Sequence, residues 1–140
     1  MGYHADVYDG LATLIEAALP GVVVFNALAV TEADLDRHAL SVCILRESID
    51  YEPHPEIAPR TAVADQAEEW TWTLYVTGGG GRARPADKAA EVDLYLEDLK
   101  TALNAQRPTT DCGPLHLVNE DLEGETETTV TYAQRWTHRR

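Results

Sequence analysis

The stretch from Glu68 to Thr77 constrains the fold more than any other part of the chain. Trp70, Trp72, Leu74 and Val76 alternate there with Thr71, Thr73, Tyr75 and Thr77. A period of two gives one apolar and one polar face only to an extended strand, so this segment predicts a central β-strand whose tryptophans pack into a core. The other elements follow from their own periods. From Ala5 to Leu19 the residues Val7, Leu11, Leu14, Ile15, Ala18 and Leu19 recur at helical intervals, with Asp6, Asp9 and Glu16 off the stripe, and Pro20-Gly21 stops the helix. Val22 to Phe25 reads as a short, fully buried strand. Ala39 to Tyr51 reads as a long strand that leaves the core, apolar at Val42, Ile44 and Leu45 and polar at Arg46, Glu47 and Asp50.

A second helix is expected from Pro85, where the missing N–H costs nothing, through the stripe Ala89, Val92, Leu96, Leu99 and Leu103, with Pro108 bounding its end. Leu115 to Val118 is a short strand, Asn119 to Gly124 an acidic turn, and Glu125 to His138 a long strand in which Val130, Tyr132 and Trp136 alternate with polar residues. Two segments interrupt this order. Pro53, Pro55 and Pro59 break Glu52 to Gln66 into an extended excursion, and Gly78 to Gly81 reads as a hinge before the second helix. The sum is an α+β fold in a single domain: an antiparallel-rich sheet of four to five strands with two helices packed on one face.

Length and charge narrow the function. A chain of 140 residues buries roughly 70% of its unfolded surface, enough for a core without disulfide or metal staples. With 11 Lys and Arg against 24 Asp and Glu, the formal charge is −13, which disfavours gripping nucleic-acid phosphates. Glu16, Pro20 and Asn26 interrupt the longest apolar stretches, well short of the roughly 20 residues that cross a bilayer, so no membrane partner is expected. Met1 to Asp9 carries no Lys or Arg and lacks the basic start of a secretory signal, which predicts a protein made and kept in a cytoplasm. Cys43 and Cys112 lie far apart with no C-x-x-C, and Cys43 reads as a small buried thiol.

The sharper chemical readings fail on spacing. The glycine run has no G-x-x-x-x-G-K-[ST] around it, so a phosphate loop is refused and Arg82 and Arg84 read as a partner contact. His54 and Glu56 offer two metal-ligand types that His38 or His116 would have to complete, but the spacing is loose and a solvated loop pair is the better reading. Ser41 and Ser48 lie in a strand, not in a nucleophile turn. Trp70, Trp72 and Trp136 lack the basic groove of a base-stacking platform, and core packing is preferred. The residues therefore name no catalytic site, no metal and no cofactor. Charge is uneven, however: residues 1–70 hold 3 basic and 13 acidic side chains, and residues 71–140 hold 8 and 11. Acidic surface of one copy against Arg82, Arg84, Arg135, Arg139 and Arg140 of the next would give a head-to-tail contact, and such contacts close into rings.

The succession of Ala5-Asp6-Val7-Tyr8-Asp9-Gly10-Leu11-Ala12-Thr13-Leu14-Ile15, Val22-Val23-Val24-Phe25, Glu69-Trp70-Thr71-Trp72-Thr73-Leu74-Tyr75-Val76, the helix from Ala89-Ala90-Glu91-Val92 to Leu103, and Thr129-Val130-Thr131-Tyr132 resembles a known family. These are the tail terminator and tail completion proteins of long-tailed bacteriophages, the lambda-like terminators among them, and the likeness of layout covers nearly the whole chain. It implies a structural virion protein without catalysis. Such a protein forms a ring, typically of six copies, at the head-proximal end of the tail, assembled in the host cytoplasm. The implied partners are further copies of itself, the tail tube protein and the head-tail connector protein. DNA would pass through the channel without specific binding, helped by an acidic lumen. The implied contacts lie in loops: Glu52 to Gln66, with His54, Glu56 and Arg60, and Gly78 to Arg84, with Arg82 and Arg84. Another connector or tail tube component is the alternative within the class, and a small ligand-binding or hydrolytic α+β domain is the alternative outside it.

Overall fold

The computed structural model describes residues 2–28, 30–31, 38–51, 67–79, 85–126 and 129–140. Helix α1 spans Tyr3–Ala18, strands β1, β2 and β3 span Val23–Asn26, Leu40–Tyr51 and Glu68–Gly79, helix α2 spans Pro85–Leu103, and strands β4 and β5 span His116–Glu125 and Thr129–Arg139. The five strands form one sheet in the order β1-β2-β3-β5-β4. Only the β1–β2 pair is parallel, as expected where a segment longer than a hairpin turn joins neighbouring strands. The fold is α+β, as the alternation of helical and strand periods requires.

The alternating strand holds the middle of the sheet. Trp70, Trp72, Leu74 and Val76 of β3 are buried, in one cluster with Val7, Leu11 and Ile15 of α1, Val92, Leu96, Leu99 and Leu103 of α2, and Val42, Ile44 and Trp136 of the flanking strands. Both helices therefore cover the same face of the sheet. The three tryptophans are core residues, with Trp72 and Trp136 fully buried. Helix α1 stops where Gly21 takes φ +84°, a left-handed conformation that glycine reaches without the Cβ penalty.

Four sequence expectations are corrected. The strand after α1 is an edge strand, with Val23, Val24 and Phe25 only half-buried, because a run of β-branched residues suits an edge packed on one side as well as it suits a sheet centre. Asn119 to Gly124 is strand and not turn: it pairs with β5 from Asn119↔Arg135 to Gly124↔Thr131, and cross-strand partners on β5 offset its acidic composition. Strand β5 accordingly starts at Thr129, and β4 is not short. Gly78 and Gly79 belong to β3, where Gly78 lies between Leu40 and Val130, so the hinge reading fails for those two. The Glu52 to Gln66 excursion and Gly80, Gly81, Arg82 and Arg84 lie outside the described residues.

Candidate interaction surface

The side of the sheet away from the helices is built by the second half of the period-two pattern. Thr71, Thr73, Tyr75 and Thr77 of β3 point there, in register with Thr137, Arg135, Ala133 and Thr131 of β5. A belt of polar contacts crosses four strands on this face. Thr73 Oγ1 donates to Glu47 Oε2 at 2.9 Å, and the same carboxylate lies 3.3 Å from Arg135 Nε. Arg135 Nη1 then donates to Asn119 Oδ1 at 3.0 Å and reaches Asp121 Oδ2 at 3.4 Å. A bulge between Arg46 and Ser48 leaves Glu47 out of the ladder and aims it at Thr73 and Arg135, the usual effect of an extra residue in a strand.

Next to the belt, on the β1 side, lies an apolar groove of about 360 Å³ lined by Ala27, Leu28, Val30, Cys43, Leu45 and Tyr75. Burial pushes the Cys43 thiol up to about 11, so at neutral pH it is protonated and packs as a small apolar group. The outer edge of the sheet carries apolar residues as well. Val118, left unpaired by a bulge between Leu117 and Asn119, is 57% exposed, and Leu122 is 55% exposed.

At one end of the sheet α1 sets its first residues against the tryptophans. Tyr3 meets Trp70 edge-on at 4.9 Å and His4 stacks on Trp72 at 5.2 Å. Arg140 lies over the Tyr3 ring at 4.2 Å and 3.8 Å from Glu68, while Arg46 lies over Trp70 at 5.5 Å. Burial raises the Tyr3 phenol well above its ordinary value. Burial, and then the Arg46 charge, lower His4 below its ordinary imidazole value.

The residues singled out from sequence separate accordingly. His54, Glu56, Arg60, Arg82 and Arg84 lie outside the described residues. Arg135 sits within the polar belt, Arg139 ends β5 opposite Glu69, and Arg140 after it lies over Tyr3 of α1. Sequence reasoning missed the partners Glu47, Thr73, Asn119 and Asp121, because the two bulges that align them leave no mark in composition. Among the described residues, no group of three or more His, Cys, Asp or Glu side chains is placed to hold a metal ion, and no helix is long and apolar enough to cross a membrane. The class defined by the fold is an α+β sheet with two helices on one face. In comparisons with known proteins, no family model and no curated protein matches the chain.

Proposed function

We propose that this chain is a structural virion protein of the tail terminator kind. Copies join into a ring, six being the typical number, that caps the tail tube, ends its growth and offers the head-tail connector its docking surface. The protein acts by geometry, not by catalysis, and DNA slides through an acidic channel without being held. One observation carries the reading beyond the resemblance of layout. Strand β4 forms an edge of the sheet and presents Val118 and Leu122 more than half exposed. A strand edge with apolar side chains outward is a surface suited to a neighbouring copy. The acidic excess supports the rest, since a channel of this charge repels the phosphates that pass through it.

The test is negative-stain imaging of particles made from the parent genome with this one gene deleted. Filled heads beside separate, overlong tails are the expected result. Normal tailed particles, or a source that makes no particles, overturn the reading and favour a small ligand-binding domain.

A further inference from the structure

Beyond the short strand β1 the fold leaves a cavity of about 190 Å³, lined in part by His4, Tyr8, Asn26, Leu45, Arg46 and Trp72. β1 pairs with β2 only from Ser41 to Ile44, so the chain leaves the β2 edge just before Arg46. The cavity thus lies between the part of β2 beyond its β1 pairing and the first turns of α1. The buried Trp72 is part of its lining, and His4 stacks on the Trp72 ring at 5.2 Å.

The charge pattern here is unusual for so acidic a chain. Among the described residues, Lys100, Arg135 and Arg140 each lie near a carboxylate, at 2.7, 3.3 and 3.8 Å. Among the described residues Arg46 has neither a carboxylate nor a hydrogen-bond acceptor, and its guanidinium lies over the Trp70 ring at 5.5 Å. An arginine held over an aromatic face keeps its planar fork available for a ligand with two coplanar oxygens. Further donors face the same space. Asn26 Oδ1 accepts the Leu28 N–H at 3.0 Å, which fixes its amide and leaves Nδ2 as the open donor. Tyr8 supplies a hydroxyl, and α1 starts at Tyr3 without a side-chain cap, so the positive end of its dipole lies beside His4.

We propose that this cavity binds a carboxylate, with Arg46 taking both oxygens and Asn26 and Tyr8 as further donors. A single guanidinium matches a monoanion better than a doubly charged phosphate, and the apolar Leu28, Ile44 and Leu45 in the lining suit a short aliphatic stem. Two sources can supply that group, an acidic side chain of a second copy or a small free acid, and only the first rests on the ring reading.

The test has two arms. In the first, sodium acetate is titrated into the protein and compared with sodium chloride at equal ionic strength, with the His4 imidazole followed by NMR. Acetate alone is expected to shift His4 saturably and to raise its pKa, because a bound anion offsets the Arg46 charge. Binding is expected to weaken about tenfold or more in Arg46→Ala, and less in Arg46→Lys, which keeps the charge and loses the fork. Equal responses to acetate and chloride, or undiminished acetate binding in Arg46→Ala, overturn the site. In the second arm, sedimentation of wild type and Arg46→Ala identifies the source. Self-association weakened about tenfold or more by the substitution assigns the carboxylate to a second copy. A monomer, or association that Arg46→Ala leaves intact, assigns an acetate-positive site to a free acid. The gene-deletion particles report on the ring reading separately.

Discussion

Trp72 and His138 meet diagonally across β3 and β5, the indole Nε1 donating to the imidazole Nε2 at 3.0 Å with both side chains buried. An indole N–H can only donate, so Nε2 must be the acceptor and the neutral ring carries its proton on Nδ1. A second proton would break this bond and bury a charge. Burial accordingly holds His138 below the ordinary imidazole value of 6.5.

The sign of the pH dependence follows. The unfolded chain takes up the proton near 6.5 and the folded chain only at lower pH, so the stabilising contribution is complete above 6.5 and is lost as pH falls below it. Urea unfolding is expected to show stability rising with pH through this window, with a limiting slope of about 1.4 kcal/mol per pH unit for one proton. In His138→Gln, which keeps an acceptor for Trp72 and does not titrate, the slope falls by the His138 share. His4, lowered too, retains its own part. An unchanged slope in the variant would remove His138 as its source.

Gly10 gives a prediction that runs against helix propensity. An alanine in an exposed helix interior gains about 1 kcal/mol over glycine. At Gly10, in the middle of α1, an added Cβ would run into the Pro108 carbonyl oxygen, a backbone atom with no rotamer to yield. Gly10→Ala is expected to lose about 1–3 kcal/mol, the range for overpacking, measured by chemical denaturation. A gain would show that the segment around Pro108 moves aside at little cost.

Gln134 is a buried amide on the core face of β5, fully shielded from water. Its Nε2 donates to Leu96 O of α2 at 3.1 Å and to Glu120 Oε1 of β4 at 2.9 Å. Its Oε1 accepts Trp136 Nε1 at 3.2 Å. One side chain thereby ties α2 to two strands. Gln134→Leu fits in volume but strands the Trp136 N–H, and is expected to cost about 2 kcal/mol in an equilibrium unfolding curve. A neutral result would mean that solvent reaches the orphaned groups.

Gln134 and His138 mark the boundary between what was readable in the sequence and what was not. The Trp70 to Val76 alternation identifies the central strand, and the stripes Val7, Leu11, Ile15 and Val92, Leu96, Leu99, Leu103 identify both helices, because burial in one layer imposes a strict period. Gln134 and His138 occupy core-facing positions of the same period in β5, yet their polar chemistry hides them until their partners on other elements are known. Asn119 to Gly124 fails for a related reason. Its acids suggest a turn, and only the pairing with Arg135 and Gln134 makes strand the better solution. Glu47 and Val118 reach their surfaces through bulges, and a bulge is a property of two strands in register, not of either sequence alone.

Arg135 offers a direct measure of the polar belt. It is partly exposed, with 23% of its side chain accessible beside Glu47 and Asp121, so solvent screening limits its value to about 1 kcal/mol or less. Arg135→Ala is expected to lose that amount at low salt and less at high salt, since the pairs that it removes are screened in part. A loss that does not change with salt would assign the effect to packing of the arginine stem over Thr73.

Val118 separates assembly from folding. It stands outside the ladder in a bulge of the edge strand β4 and is 57% exposed, so Val118→Lys removes no buried contact and should change stability by no more than about 0.5 kcal/mol. A lysine on an exposed edge strand opposes pairing with another chain. If β4 faces a neighbouring copy in the proposed ring, a folded Val118→Lys protein supplied to a gene-deleted parent will not restore joined, tailed particles. Leu94→Lys, at a 67% exposed position on α2, provides the control for an added charge elsewhere on the surface. Restoration by both variants would exclude β4 as the contact, and restoration by the α2 variant alone would assign the ring interface to that edge.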